Sequence, residues 1–181
     1  MPLITRDHVI LIVKFIVFQI GWFAAVLGGA HDYVFGGSLL VAAIVAVHIW
    51  QASIPSREVL LILFTTLIGT IWDSALVALN VIQYPHGIFI SGVAPIWIIA
   101  VWALFATAFN TTLTYFKHRY VFASLFGAIG APLSFLAGMR LGALQFPNQT
   151  MALIVIGAGW ATMMPMLMKL AQRYDGYDAV R

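Results

Sequence analysis

Six stretches of nearly unbroken apolar sequence, at about 9–30, 34–52, 59–82, 92–116, 120–144 and 150–171, limit what this chain can fold into. A helix crossing a hydrocarbon core of roughly 30 Å needs about 20 residues, and each stretch is close to or beyond that length. The stretches run continuously rather than alternating, which points to helices and not to a β-barrel. Composition agrees: 62% of residues are hydrophobic and 8% charged, where a soluble domain carries about a quarter charged residues. The expected fold is a single all-α membrane domain over residues 1–181, a polytopic bundle of six transmembrane helices. The connections are polar or broken by Pro or Gly: His31-Asp32-Tyr33, Ser53 through Glu58, Tyr84-Pro85-His86-Gly87, Lys117-His118-Arg119, and Gln145 through Gln149.

The cations orient that bundle. Arg6, Arg57, Lys117, Arg119, Lys169, Arg173 and Arg181 fall at the N-terminus, in connections 2–3 and 4–5, and around the C-terminus. Connections 1–2 and 3–4 carry none. Six spans put all of these cations on one side, which the positive-inside rule makes the cytoplasm, so both termini are expected there, in a bacterial inner membrane. Gly28-Gly29-Ala30 imitates a signal-peptide cleavage site, but the bulky Trp22 and Phe23 nearby and the length of the apolar run favour a retained span. The net charge of +3 is small and scattered, so a nucleic-acid partner is not expected. With no cysteine in the chain, disulfides and thiolate-ligated metals are excluded.

Ionisable groups inside a span are costly, at roughly 2.5–3.5 kcal/mol on insertion scales, and therefore mark partners or function. Asp73 is the clearest case, about 14 residues into the third stretch and in its outer half. Helical spacing puts Thr66, Gly69, Thr70 and Asn80 on its face, a small and polar stripe expected to point into the bundle. Arg140, between Gly138 and Gly142 near the outer end of the fifth stretch, either snorkels to the headgroups or pairs with Asp73. Gln19 beside Trp22, and Thr107, Asn110 and Thr111, are further polar groups expected to bond between helices. Asp73, Arg140, Gln19, Asn110, Thr70 and Asn80 together form the candidate intramembrane polar site.

Other features receive plainer readings. Gly127, Gly130, Ala131, Ser134, Ala137 and Gly138 give the fifth stretch a small-residue side, expected to serve close helix packing rather than a substrate cleft. Pro132 and Pro165 leave the carbonyls of Ala128 and Ala161 unpaired. Lys14 and His48 are expected to snorkel at the cytoplasmic face, and Trp50, Tyr84, Tyr115 and Tyr120 to join interfacial aromatic belts. Ile68-Gly69-Thr70-Ile71-Trp72 faintly echoes Ile156-Gly157-Ala158-Gly159-Trp160, as an inverted repeat would, although chance accounts for the match. His31, Asp32 and His86 share the outer connections, yet no helix carries a metal-binding histidine motif, so neither metal nor cofactor is expected.

Five segments occur in order: Phe18-Gln19-Ile20-Gly21-Trp22-Phe23, Asp73-Ser74, Pro95-Ile96-Trp97, Phe105-Ala106-Thr107-Ala108-Phe109-Asn110, and Gly130-Ala131-Pro132-Leu133-Ser134-Phe135-Leu136-Ala137-Gly138-Met139-Arg140-Leu141-Gly142-Ala143. Together they resemble the bacterial family of small inner-membrane proteins catalogued as DUF2878, over nearly the whole chain. Ala131 and Phe135 stand where the family pattern leads one to expect Gly and Tyr. The resemblance implies that Gln19, Asp73, Asn110 and Arg140 belong to the family's motif, and, since members lie near genes for fatty-acid modification, a lipid-linked role. It implies no established activity. Three functions follow from the residues: a membrane-embedded site acting on or binding a lipid or apolar small molecule, with Asp73 as acid, base or anchor and Arg140 as anion binder; a small proton- or cation-coupled transporter; and a structural or assembly subunit. Membrane lipids are the expected partners, with a homo-oligomer compatible with the transporter.

Overall fold

The computed structural model describes residues 5–177, and Arg181, one of the cations expected on the cytoplasmic side, lies outside them. The chain is all-helical: α1 (Arg6–Ala30), α2 (Val34–Gln51), α3 (Pro55–Ala78), α4 (Ile96–Phe109), α5 (Tyr120–Arg140) and α6 (Gln149–Arg173), with a short 3-10 turn at Thr114–Phe116. Five of these are long and apolar enough to cross a membrane, and α4 is a shorter apolar helix. Their outward faces carry large exposed side chains such as Leu39, Leu63, Ile71, Val121, Ile129 and Ile154. Contiguous apolar surface of that kind suits lipid and not water.

The helix limits correct the sequence reading at three places. Pro55, expected in a connection, is in the first turn of α3, where its missing N–H removes no helical bond, so Glu58 becomes a helical residue. At its other end α3 stops at Ala78 and not near 82, because Asn80 turns left-handed at φ 54°. The fourth stretch, expected over about 92–116, is helical only over 14 residues, about 21 Å. Pro95 caps its start, Gly92 before it takes φ 77°, and Asn110 caps its end.

Consecutive helices run antiparallel, and the connections at each end of the bundle are stitched together. At one end, Gln83 and Gln145 exchange backbone hydrogen bonds of 2.9 and 2.8 Å, joining connection 3–4 to connection 5–6. At the other, the Ile54 N–H donates to the Gly176 carbonyl at 3.0 Å, joining connection 2–3 to the segment after α6. Short as it is, α4 with its flanking residues reaches along α3 from Ser74 to Glu58: the Ala94 N–H just before it donates to Ser74 Oγ at 2.9 Å, and Asn110 at its end donates to Glu58 at 2.5 Å.

Packing divides the bundle. Helix α1 pairs with α2, α4 lies against α1, α2 and α3, and α5 pairs with α6, whereas α1 and α5 have no extended contact. Close approach of α5 and α6 depends on small residues: the Ala128 carbonyl freed by Pro132 lies against Gly157. Tryptophans fill glycine gaps between other helices, with Trp97 over Gly29, Trp102 over Gly69, and Trp72 over Gly159. The segments that echo each other in sequence, around Gly69 and around Gly159, thus both receive an indole.

Candidate functional site

Asp73 is buried, at 1% exposure, five residues before the end of α3. Two neutral donors hold its carboxylate. The left-handed turn at Asn80 reverses the chain after α3, so that Tyr84 in the following connection points back and its hydroxyl donates to Asp73 Oδ1 at 2.9 Å. From α4, Trp102 Nε1 donates to Oδ2 at 2.6 Å. Trp102 is itself fixed, lying on Gly69 and stacked on Trp160 of α6 with ring centroids 5.0 Å apart and planes at 14°. Tyr84 packs edge-on against Trp97 at 5.5 Å.

No cation completes this arrangement. Among the described residues the ion pairs are His48–Glu58, His86–Asp32 and Lys117–Asp175, none of which involves Asp73. Hydrogen bonds to a charged group contribute about 1.5–3 kcal/mol each, against a desolvation cost of several kcal/mol for a buried ion. Two donors therefore support the carboxylate without replacing a counter-charge, and a carboxylate has about four acceptor positions of which two are used.

Asp73 borders a cavity of about 520 Å³ between α1 and α5, backed by α4 and by Trp160 of α6. That volume is within the roughly 300–1,000 Å³ usual for small-molecule sites. Its walls are mostly aromatic and aliphatic, including Phe18, Trp22, Val26, Trp97, Trp102, Phe105 and Trp160, with Gln19, Asp73 and Ser134 as polar side chains. The exposed residues Phe23 on α1 and Phe126 and Leu133 on α5 also line it, so the cavity opens on the side of the bundle, between the two helices that lack an extended contact.

The small-residue side of α5 corrects an expectation. All six positions, Gly127, Gly130, Ala131, Ser134, Ala137 and Gly138, line the cavity. Gly127 also meets the Trp160 carbonyl on α6, but a Cβ at Gly130 would find only the tip of the Phe126 ring, at 3.9 Å. Small side chains here leave space between helices more than they close it.

Of the residues expected beside Asp73, only Gln19 shares the cavity with it. Thr70 lies nearly one turn earlier on α3, half-buried and outside the cavity wall. Asn80 is not on the helical face at all: it is exposed in the turn beyond α3, where its Oδ1 accepts from Gln83 Nε2 at 2.9 Å. Arg140, at the end of α5, is exposed, does not pair with Asp73 and does not line the cavity. The anion-binding role considered for it thus has no place at this site. Tyr84, expected in an interfacial belt, is buried on Asp73.

Asn110 belongs to a second polar cluster at the opposite end of the bundle, centred on Glu58, which is 0% exposed. Glu58 Oε1 accepts from Asn110 Nδ2 at 2.5 Å and from the Gly176 N–H at 2.9 Å, while Oε2 is 2.8 Å from His48 Nε2. His48 is therefore buried and bonded instead of snorkelling. The Tyr177 hydroxyl donates to the His48 carbonyl at 2.7 Å, and burial, then the nearby Glu58 charge, pushes its pKa above the usual tyrosine range. Lys14 caps the Tyr177 ring, and Lys117 pairs with Asp175. Sequence reasoning missed this cluster because Glu58 reads as a connection residue until Pro55 is seen to start the helix. The signal present was an acidic residue in a helical first turn, favourable to the helix dipole.

The family model described as "Protein of unknown function (DUF2878)" matches residues 11–166 of the chain, a region that contains the whole cavity wall. No curated protein matches the chain, and no solved structure matches it.

Proposed function

The chain belongs to the DUF2878 family, and we propose that it is a six-span protein of the bacterial inner membrane that receives a lipid or apolar small molecule sideways from the bilayer into the cavity between α1 and α5. The opening of that cavity on the apolar flank of the bundle, with a carboxylate at its inner wall, carries the reading. An apolar molecule dissolved in the acyl-chain region reaches such a mouth without crossing water, and its apolar body exchanges lipid contacts for the aromatic wall. The one polar anchor on offer is Asp73, with Gln19 and Ser134 as secondary hydrogen-bonding groups.

A sixth crossing is supported by α4 and its flanks lying beside α3 from Glu58 to Ser74, its roughly 21 Å extended at each end by short non-helical segments. Of the described cations, Arg6, Arg57, Lys117, Arg119, Lys169 and Arg173 gather at or near the Glu58 end of the helices and Arg140 stands at the other, a bias that supports a cytoplasmic location for the Glu58 end and for both termini. Asp73 then lies in the outer half of the membrane.

Native mass spectrometry of the full chain released from nanodiscs tests the proposal. Wild type is expected to retain an apolar adduct, as is Arg140→Gln, whereas Gly130→Phe fills the cavity from a position with open space above it and is expected to lose the adduct. Identical adducts on wild type and Gly130→Phe would remove the cavity from the account.

A further inference from the structure

We infer that the occupant of the α1–α5 cavity is a lipophilic cation, an amine, quaternary ammonium or phosphonium centre carried on an apolar body, with Asp73 as its counter-ion. The inference rests on the cavity reading above and names the chemistry that the cavity selects. Three observations converge on it. First, Asp73 is buried and bonded only to two neutral donors, with no ion pair among the described residues. A carboxylate so placed is completed either by a proton or by a positive ligand. Second, among the described residues no Lys or Arg lines the cavity, so an anionic headgroup would find no positive side chain there. The wall therefore offers no counter-charge to a fatty-acid carboxylate or a phosphate seated at Asp73.

Third, the wall is rich in aromatic side chains. Trp22, Phe105 and Trp160 line the cavity beside Trp102, whose own two faces are taken by Gly69 and Trp160. The negative face of an aromatic ring attracts a cation, more strongly once both are desolvated. Rings surrounding a single carboxylate solvate a soft, weakly hydrated cation while rejecting a small hydrated one, which would lose its water with too few oxygens to replace it. An apolar body large enough to fill the cavity, joined to one such charge, fits both the wall and its base.

Because a proton and a cation compete for the same carboxylate, binding should weaken on acidification, and a cation entering at low pH should displace a proton. The other titratable group at Asp73 is Tyr84, from the connection after α3, which stays a neutral donor. Among the described residues no titratable side chain of α1, α4, α5 or α6 lines the cavity; the hydrogen-bonding groups these helices present there are Gln19, Ser134 and tryptophan N–H groups.

The test compares tetraphenylphosphonium with tetraphenylborate, probes of closely similar shape and opposite charge, by calorimetry on the purified full chain in detergent. Wild type is expected to bind the phosphonium saturably at one site, at least about tenfold more tightly than the borate, a difference of about 1.4 kcal/mol, with proton release and weaker binding at low pH. Asp73→Asn is expected to lose that preference and the proton release, and Arg140→Gln to keep both. Since the charge comparison is made on wild type, it does not depend on the folding of any variant. Equal binding of both probes, or no phosphonium binding by a protein that still carries a neutral adduct sensitive to Gly130→Phe, would overturn the cation and leave the cavity reading standing. If neither probe binds and no adduct responds to Gly130→Phe, both readings fail.

Discussion

Gly69→Ala disturbs the support of the Asp73 site while leaving every polar group in place. A Cβ at position 69 would overlap the Trp102 indole, and the ring has little freedom to retreat, being stacked on Trp160 at 5.0 Å and bonded to Asp73 at 2.6 Å. The molecule has two responses. Helices α3 and α4 can move apart, an overpacking strain of about 1–3 kcal/mol. Alternatively Trp102 swings away, forfeiting a charge-assisted hydrogen bond of about 1.5–3 kcal/mol and a stacked pair of about 0.5–1.5 kcal/mol. Against either stands a gain of about 1 kcal/mol from replacing glycine with alanine inside a helix. The cheaper response sets the cost, so the net expectation is a loss of up to about 2 kcal/mol. It is read from reversible unfolding in mixed micelles followed by circular dichroism, together with loss of the adduct. Trp102→Leu makes room for the new methyl group, so the double variant should fall short of additivity by at least about 1 kcal/mol. If Gly69→Ala were stabilising, as propensity alone requires, or if the two changes simply added, the packing of Trp102 on Gly69 would be refuted.

The second cluster makes its own predictions. His48→Ala leaves Glu58 Oε2 without its 2.8 Å partner in a fully buried setting and should destabilise the protein by about 1.5–3 kcal/mol, measured in the same unfolding assay, with the adduct retained by the folded fraction. Gly176→Ala places a Cβ about 2.6 Å from Glu58 Cγ and 2.7 Å from the Ile54 carbonyl, so it should detach the segment after α6 and raise proteolysis beyond Arg173. With no cysteine in the chain, single-cysteine labelling has no background: cysteine introduced at His86 should label from the periplasmic side and at His118 from the cytoplasmic side, the reverse pattern contradicting the orientation.

The parts of this protein that were legible in the sequence are those set by solvent. Apolar runs marked all six helices, because lipid demands a continuous hydrophobic surface whatever the helices do to one another. Asp73 was legible for the same reason, since a carboxylate in such a run is conspicuous. Its partners were not. Helical spacing nominated Asn80, but seven residues of extrapolation ran past the left-handed turn that ends α3. Arg140 was nominated by charge and depth, whereas the groups that reach Asp73 are the polar tips of Tyr84 and Trp102, residues that sequence reading assigns by default to belts and packing. The small stripe on α5 was visible and its purpose was not. Whether small residues admit a neighbouring helix or a ligand depends on what stands opposite, and opposite Gly130 there is open space. Glu58 and His48 were hidden by a helix start placed a turn too late.

A photoactivatable diazirine side chain placed at Ser134, in the cavity wall, compared with one at Ile129 on the exposed face of α5, tests the central claim most directly. After irradiation in native membranes, position 129 should yield the spread of bulk phospholipid adducts, and position 134 a single dominant apolar species that vanishes when Gly130→Phe is added. The same phospholipid mixture at both positions, unchanged by filling the cavity, would contradict a selective site between α1 and α5.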